Sequence, residues 1–193
     1  MELRGEISPT KPLVVVAVDA EAAQLSTTLP VLIVGVGKIE AVASLCEALG
    51  PLSAEERPTK VLNLGTAGAL HDRHEGIFEI GTVLQHDLDG PSIETLTGVN
   101  PSPEISLGEG LVLASGDTFI QHPDDRARLA ARADLCDMEG YAVASTALRM
   151  GVPVTIIKHV SDRADGQAAA SWSASVGHSS RLLGTWLREH VES

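Results

Sequence analysis

The amino-acid sequence predicts an α/β fold built around a largely parallel β-sheet. Short hydrophobic runs alternate with segments of helical apolar spacing along most of the 193 residues. Each hydrophobic run is bounded by glycine, proline or charged residues, as expected for short strands that are buried on both faces. A chain of this length buries roughly 70% of its unfolded surface as one compact unit, so we expect residues 1–193 to form a single domain.

Five of the hydrophobic runs are candidate strands because they are rich in leucine or β-branched residues. They comprise residues 13–18, 31–34, 60–64, 111–114 and 154–157. The segments between them have the apolar spacing of helices, and the candidates are residues 20–26, 39–49, 124–133, 138–149 and 175–190. Pro123 followed by two aspartates is a favourable helix start, and Gly151-Val-Pro153 is a favourable helix end.

Residues 80–105 interrupt this alternation. They mix Gly, Pro, Thr and Asp with a brief apolar alternation, and prolines stand at positions 91, 101 and 103. Because proline interrupts helices and central strands alike, we expect a strand followed by a long loop in this segment.

The charge balance disfavours large anionic partners. The chain has 14 Lys and Arg against 26 Asp and Glu, which gives a net charge of −12. A protein that binds nucleic acid or an anionic membrane needs clustered basic residues, whereas here they are scattered and outnumbered. We therefore expect a small-molecule substrate, with no nucleic acid and no membrane partner.

Cysteine usage and the N-terminal sequence indicate a cytoplasmic protein. Cys46 and Cys136 are the only cysteines and are not arranged in a metal-binding or disulfide pattern. Residues 1–10 contain no apolar stretch of the kind found in signal peptides, and the longest apolar run, residues 13–18, is too short to span a bilayer.

Five clusters at the ends of predicted strands are candidates for a binding site, because ligands of α/β sheets collect at the carboxyl ends of the strands. Each cluster also has a plain structural interpretation as a turn, a helix cap or a core contact. Gly35-Val-Gly-Lys38 matches neither the Rossmann nor the Walker pattern. The clusters are Gly35–Lys38, Leu64–Ala69, Ala114–Ile120, Asp137–Tyr141 and Lys158–Asp165.

Metal and nucleophilic chemistry are not indicated. His71 and His74 lie beside Asp72 and Glu75, but they form no recognised ligand spacing, and a solvated loop explains them better. The chain has no Gly-x-Ser-x-Gly motif, and neither cysteine lies in a recognisable active-site motif. We expect neither a metal nor a cofactor.

Taken together, the motifs resemble the purine nucleoside phosphorylase and uridine phosphorylase superfamily, and most closely its hydrolytic branch, the methylthioadenosine/S-adenosylhomocysteine nucleosidases. The resemblance spans about residues 13–190 and depends mainly on Ser115-Gly-Asp-x-Phe-Ile120, Met138-Glu139 and Ser161-Asp-x-Ala-Asp165. It implies a three-layer α-β-α fold with a central mixed, largely parallel sheet. The implied activity is hydrolysis of the N-glycosidic bond of a purine nucleoside to free base and ribose sugar.

The resemblance implies that Asp162 donates a proton to N7 of the leaving purine while Ser161 holds its carboxylate. A departing base that keeps its negative charge is a poor leaving group, so a general acid is chemically reasonable. The pKa of an ordinary aspartate is about 3.9, so the pocket has to raise it substantially for the acid to be protonated near neutral pH.

Further roles follow from matching positions in the family. Glu139 accepts hydrogen bonds from the ribose 2′ and 3′ hydroxyls, and Met138 packs on the ribose face. Phe119 stacks on the purine, and the backbone of Ile120 reads the Watson–Crick edge of the base.

Glu21 distinguishes hydrolysis from phosphorolysis. Phosphorylases of the superfamily hold phosphate with arginines near the first strand and the glycine turns, whereas Asp19-Ala-Glu-Ala22 and Leu64-Gly-Thr66 contain none. A carboxylate repels phosphate but deprotonates water. The resemblance therefore implies that Glu21 is the general base and that Gly37 and Thr66 line the water site.

Some positions depart from the family pattern. Lys158 stands where these nucleosidases usually have an arginine, and Tyr141 replaces a small residue. The family segment that contacts the 5′ substituent, partly across a homodimer interface, is shortened here between Gln85 and Gly110. A homodimer is still expected, and the 5′ substituent of the substrate is left open.

Two alternatives also remain open. A phosphorylase would use Lys38 and Lys158 to supply positive charge to phosphate. A non-catalytic nucleoside-binding paralogue would keep the pocket without the chemistry, although retention of both Asp162 and Glu21 argues against it.

Overall fold

A computed structural model describes residues 1–192, in which strands and helices alternate along the chain. The strands are β1 (Glu2–Arg4), β2 (Leu13–Val16), β3 (Val31–Ile33), β4 (Val61–Ala69), β5 (Ile77–Gln85), β6 (Ile105–Ser106), β7 (Leu111–Ser115), β8 (Leu135–Asp137) and β9 (Val154–Asp162). The helices are α1 (Asp19–Ala22), α2 (Lys38–Leu49), α3 (Gly90–Thr97), α4 (Pro123–Ala130), α5 (Gly140–Arg149) and α6 (Ala168–His190).

All nine strands form one mixed sheet, which confirms the predicted α/β class. β2 pairs in parallel with β3 and β4, and β4 pairs in parallel with β9. β5, β7 and β8 form a second parallel group. The two groups join through antiparallel pairs, β4 with β8 and β5 with β9, so the sheet is mixed.

The sheet closes on itself, which the predicted three-layer arrangement does not describe. β9 pairs with β4 along one edge and with β5 along the other. The path β4–β8–β7–β5–β9 therefore returns to β4 and forms a barrel-like ring. β2, β3 and β1 continue the sheet beyond β4, in that order, and are not part of the ring. The closure depends on the length of β4, β5 and β9, each of nine residues, because a long strand can pair with different neighbours along its length.

The prediction of an uninterrupted loop after the strand in residues 80–105 is wrong in one part. Gly90–Thr97 forms α3, with the Asp89 side chain accepting a hydrogen bond from Ser92 N–H at 3.2 Å and Gly98 in the left-handed conformation at its end. Pro91 lies in the first turn of this helix. Proline is tolerated there because the N–H that it lacks has no intrahelical partner at a helix start.

The helices α2, α5 and α6 pack on the core of the sheet. α2 packs against α5, and both cover a core that includes Leu13, Leu32, Leu45 and Val143. α6 packs on β9, β4 and α1, and Leu183 and Leu187 fill the core on that side. α6 begins at Ala168, seven residues before the predicted start at residue 175. In the described part of the chain, no helix is long and apolar enough to cross a membrane.

Candidate active site

The predicted site residues meet around a cavity of about 220 Å³. It lies where β2, β3, β7, β8 and β9 end, beside the central residues of β4. This is the edge at which ligands of α/β sheets usually bind. Eight of the ten predicted residues line it, namely Glu21, Thr66, Phe119, Ile120, Met138, Glu139, Ser161 and Asp162.

Asp162, at the end of β9, lies in an environment whose burial favours the neutral form of its carboxyl group. Its side chain is buried, and this burial raises the pKa of Asp162 above its usual value, with Asp165 adding to the effect. Two hydrogen bonds oppose that shift, one from Ala164 N–H to Oδ1 at 2.8 Å and one from the Ser161 hydroxyl to Oδ2 at 2.8 Å. The same bonds fix the direction in which the carboxyl group faces the cavity.

Glu21, in α1, is 4% exposed and accepts three hydrogen bonds. Thr66 donates to Oε1 from its N–H at 2.7 Å and from its hydroxyl at 2.8 Å, while Ala17 N–H donates to Oε2 at 3.1 Å. These three donors fix the orientation of the Glu21 carboxyl group. α1 and β4 together therefore hold a buried carboxylate at the cavity wall.

Glu139 lies opposite, in the turn between β8 and α5. Burial and the nearby Asp137 carboxylate raise the pKa of Glu139 to about 8. The charge of Lys158 and a hydrogen bond from Gly37 N–H to Oε1 at 2.8 Å oppose this rise in the pKa. Gly37 has φ +90°, a conformation that favours glycine and turns its N–H toward Glu139. Gly37 therefore lies outside the cavity lining, as a donor to Glu139.

Lys158 also lies outside the lining, in the buried layer below it. Its Nζ is 2.9 Å from Oδ2 of Asp137. Burial alone would lower the pKa of Lys158, but the carboxylates of Asp137, Glu21 and Glu139 together raise it. A Cβ atom on Gly65 would lie 3.0 Å from Lys158 Nζ and 3.3 Å from Glu21 Oε1, so any other residue here would press on both groups.

The segment that follows β7 supplies the candidate base contacts. Ile120 is buried, Phe119 is 39% exposed, and Thr118 joins them in the cavity wall. The segment is held by Asp117, whose Oδ1 accepts from Lys38 N–H at 2.8 Å and whose own N–H donates to Asp87 Oδ2 at 2.8 Å.

Lys38 is the cation of this network. Its Nζ contacts Asp87 and lies 3.5 Å from Oδ2 of Asp117. The ammonium group is therefore engaged by two carboxylates at the first residue of α2, and it links that helix to the segment carrying Phe119.

Sequence reasoning missed Trp172 as a site residue. Trp172 lies in the first turns of α6, lines the cavity, and donates from its indole N–H to the Thr66 hydroxyl at 3.0 Å. The scarcity of aromatic residues that singled out Phe119 applied equally to Trp172, one of two tryptophans in the chain. The predicted helix began after it, so its position near the strand ends was not apparent.

The lining holds four carboxyl groups and no Lys or Arg, and the only cysteine in it is Cys136. Burial raises the pKa of the Cys136 thiol well above its usual value, which keeps it protonated and unreactive. Within residues 1–192, no group of three His, Cys, Asp or Glu side chains is placed to hold a metal ion.

Comparison with known proteins agrees with the motif resemblance. Residues 105–185 match the family model described as the phosphorylase superfamily. The 5′-methylthioadenosine/S-adenosylhomocysteine nucleosidase of Staphylococcus aureus strain JH9 is 27% identical, over 72% of this chain and 71% of that protein. These two matches confirm the resemblance to the superfamily that the motifs indicate.

Solved structures share the fold. The 5′-methylthioadenosine/S-adenosylhomocysteine nucleosidase of Helicobacter pylori, solved in complex with a pyrrolopyrimidine compound, has a TM-score of 0.77 at 20% identity, over 94% of this chain and 97% of that one. Native futalosine hydrolase of Helicobacter pylori has a TM-score of 0.78 at 21% identity, over 93% of this chain and 96% of that one.

Proposed function

We propose, from this resemblance and from the geometry of the cavity, that the protein is a nucleosidase that hydrolyses the N-glycosidic bond of a purine nucleoside. One observation carries the proposal. A buried Asp162 with a raised pKa and a buried, triply hydrogen-bonded Glu21 line the same largely apolar cavity. Two carboxyl groups in different environments suit an acid and a base acting on one bond.

In the proposed reaction, Asp162 protonates the purine as the bond between C1′ and the base nitrogen breaks. Glu21 takes a proton from water, and the water oxygen bonds to C1′. Glu139 would accept hydrogen bonds from the ribose hydroxyls, and Met138 would pack on the sugar. Phe119 and Ile120 would hold the base, while Ser161 and Ala164 N–H orient Asp162.

The electrostatics of the cavity favour water over phosphate as the second substrate. A phosphate dianion needs positive donors, ideally bidentate ones, and the described lining carries only carboxyl charges. The two lysines that would serve a phosphorylase are both paired, Lys38 with Asp87 and Asp117 and Lys158 with Asp137. These ion pairs leave no free ammonium group among the candidates for phosphate binding.

The relatives support the class of substrate. The similar proteins are a 5′-methylthioadenosine/S-adenosylhomocysteine nucleosidase and a futalosine hydrolase. We propose that this chain likewise cleaves a 5′-modified purine nucleoside as a single domain in the cytoplasm. We also propose a homodimer, in support of which Val36, which lines the cavity, is exposed together with Ile39 and Val42 on α2.

The test is to incubate the purified protein with methylthioadenosine, S-adenosylhomocysteine, adenosine, inosine and futalosine, each with and without inorganic phosphate. We expect release of the base and of free sugar at a rate that phosphate does not change. Formation of a sugar 1-phosphate only when phosphate is present would instead identify a phosphorylase. Absence of cleavage across the panel would contradict the proposal.

A further inference from the structure

We propose that Trp172 is a positioning residue for the general base, and that it acts by fixing the hydroxyl of Thr66 in the orientation that donates to Glu21. The inference deepens the proposed function and rests on it. Trp172 is assigned no reacting atom, and its effect passes through one hydrogen bond to Thr66.

Three groups form a directed chain at the wall of the cavity. The indole N–H of Trp172 donates to Thr66 Oγ1 at 3.0 Å, and Thr66 Oγ1 donates to Glu21 Oε1 at 2.8 Å. All three residues line the cavity. The chain therefore lies at the surface that a bound substrate and the attacking water would contact.

The direction of the chain follows from the chemistry of its members. An indole N–H can only donate, an ionised carboxylate can only accept, and a hydroxyl has one proton to give. With its acceptor side occupied by Trp172, the Thr66 hydroxyl places its single proton on Glu21. Without the indole N–H, that proton is free to rotate toward water or substrate. Glu21 then has only two fixed donors, the backbone N–H groups of Ala17 and Thr66.

Helix α6 is anchored so that it holds this geometry. The Ser175 hydroxyl donates to the backbone oxygen of Ser161 at 3.1 Å, next to Asp162. The Ser180 hydroxyl donates to the backbone oxygen of Glu21 at 2.6 Å and accepts from Gln24 N–H at 2.9 Å. One helix thus contacts the segments of both proposed catalytic residues, and Trp172 is its side-chain link to the base.

The chain offers a matched control on the same helix. Trp186, the other tryptophan, is partly buried and stacks on His190 with ring centroids 4.8 Å apart, at the opposite end of α6. Trp172→Phe keeps an aromatic ring in the cavity wall but removes the N–H donor, and Trp186→Phe makes the same chemical change away from the site.

The experiment measures kcat for wild type, Trp172→Phe and Trp186→Phe with the nucleoside that wild type cleaves. Loss of one neutral hydrogen bond predicts a decrease in kcat of roughly 3- to 10-fold for Trp172→Phe. Trp186→Phe keeps the wild-type kcat. An unchanged kcat in Trp172→Phe would overturn the inference.

A double-mutant cycle with Thr66→Val tests the route of the effect. If Trp172 acts only through the Thr66 hydroxyl, its replacement changes nothing further once that hydroxyl is gone, so the two effects do not multiply. In a Thr66→Ser background, which keeps a hydroxyl, the dependence on Trp172 returns. Full multiplication of the two effects would show that Trp172 acts by another route.

Failure of the inference is distinguishable from failure of the proposed function. If wild type cleaves no nucleoside, both the proposed function and this inference are contradicted. If wild type cleaves a nucleoside and Trp172→Phe behaves like Trp186→Phe, only the inference about Trp172 falls.

Discussion

At the scale of single residues, Glu139 occupies a position that lowers the stability of the folded protein but serves the proposed reaction. Its burial next to Asp137 raises its pKa to about 8, so these surroundings disfavour the charge that the proposed mechanism uses. Hydrogen bonds from ribose hydroxyls would favour the ionised form again. A bound nucleoside is therefore expected to draw Glu139 toward its working, charged state.

Replacement of Glu139 by glutamine is expected to make the stability of the protein less dependent on pH. A raised pKa in the folded state means that wild type loses stability as pH rises from the unfolded value, 4.5, to about 8. Glu139→Gln removes that loss while its side-chain oxygen still accepts from Gly37. The gain in the free energy of unfolding should be small near pH 5 and grow until about pH 8.

Urea unfolding across this pH range measures the gain, and the exposed Glu47→Gln on α2 is the control. The same Glu139→Gln variant should lose activity, because an amide neither carries the charge nor accepts from two hydroxyls as a carboxylate does. A stability difference between wild type and Glu139→Gln that does not change with pH would contradict this account.

At the scale of elements, the sequence predicted what is local. The leucine-rich or β-branched runs at 13–18 and 154–157 contain β2 and the start of β9. Phe119 and Met138 follow strands as expected, and Asp162 is the last residue of β9. The sequence pattern does not indicate α3, because Pro91 is typical of a helix break. In the first turn of a helix, however, proline is tolerated. Sequence motifs do not indicate Trp172, because its contact with Thr66 joins α6 to β4, which are far apart along the chain.

The Lys38 network illustrates a contact between elements with a functional consequence. Through Asp117 and Asp87 it joins the start of α2 to the segment that carries Phe119 and Ile120. Lys38→Met should loosen that segment while leaving Asp162 and Glu21 in place. We expect KM to rise by roughly 3- to 10-fold with a smaller change in kcat, from the loss of a charge-assisted hydrogen bond.

Steady-state kinetics measure this split, with exposed Lys11→Met as the control for loss of one positive charge. A decrease in kcat at unchanged KM would show that Lys38 serves the chemical step and not the base-binding segment.

At the scale of the whole molecule, the sequence did not predict how the sheet closes. Strand patterns indicate that β4, β5 and β9 are buried, but closure requires β9 to pair with β4 along one edge and with β5 along the other. The pairing partners of β9 depend on the register between residues that are distant along the chain, and a local sequence pattern does not determine that register. In the closed sheet, β8 and β9 both pair with β4, and Lys158 in the middle of β9 lies against Asp137 at the end of β8.

This buried pair is expected to contribute to global stability in a testable way. Lys158→Met leaves the Asp137 carboxylate buried with only the Ser115 hydroxyl, at 2.5 Å, and Gly140 N–H, at 2.8 Å, as donors. Removing one member of such a pair typically destabilises a protein by about 3–5 kcal/mol. Adding Asp137→Asn to Lys158→Met should restore part of that loss, because the unpaired charge is then gone.

The free energies of unfolding in urea of the two single variants and the double variant measure this coupling. If the losses of the single variants simply add in the double variant, the two side chains do not stabilise each other.

The most direct test of the central claim is the rate of base release in phosphate-free buffer by wild type and by Asp162→Asn, with Asp124→Asn, an exposed position on α4, as the control. We predict that wild type and Asp124→Asn release free base and free sugar at the same rate, and that Asp162→Asn is slower by roughly 10²- to 10⁴-fold because the general acid is gone. Base release that requires phosphate, or an Asp162→Asn variant as fast as wild type, would contradict the account.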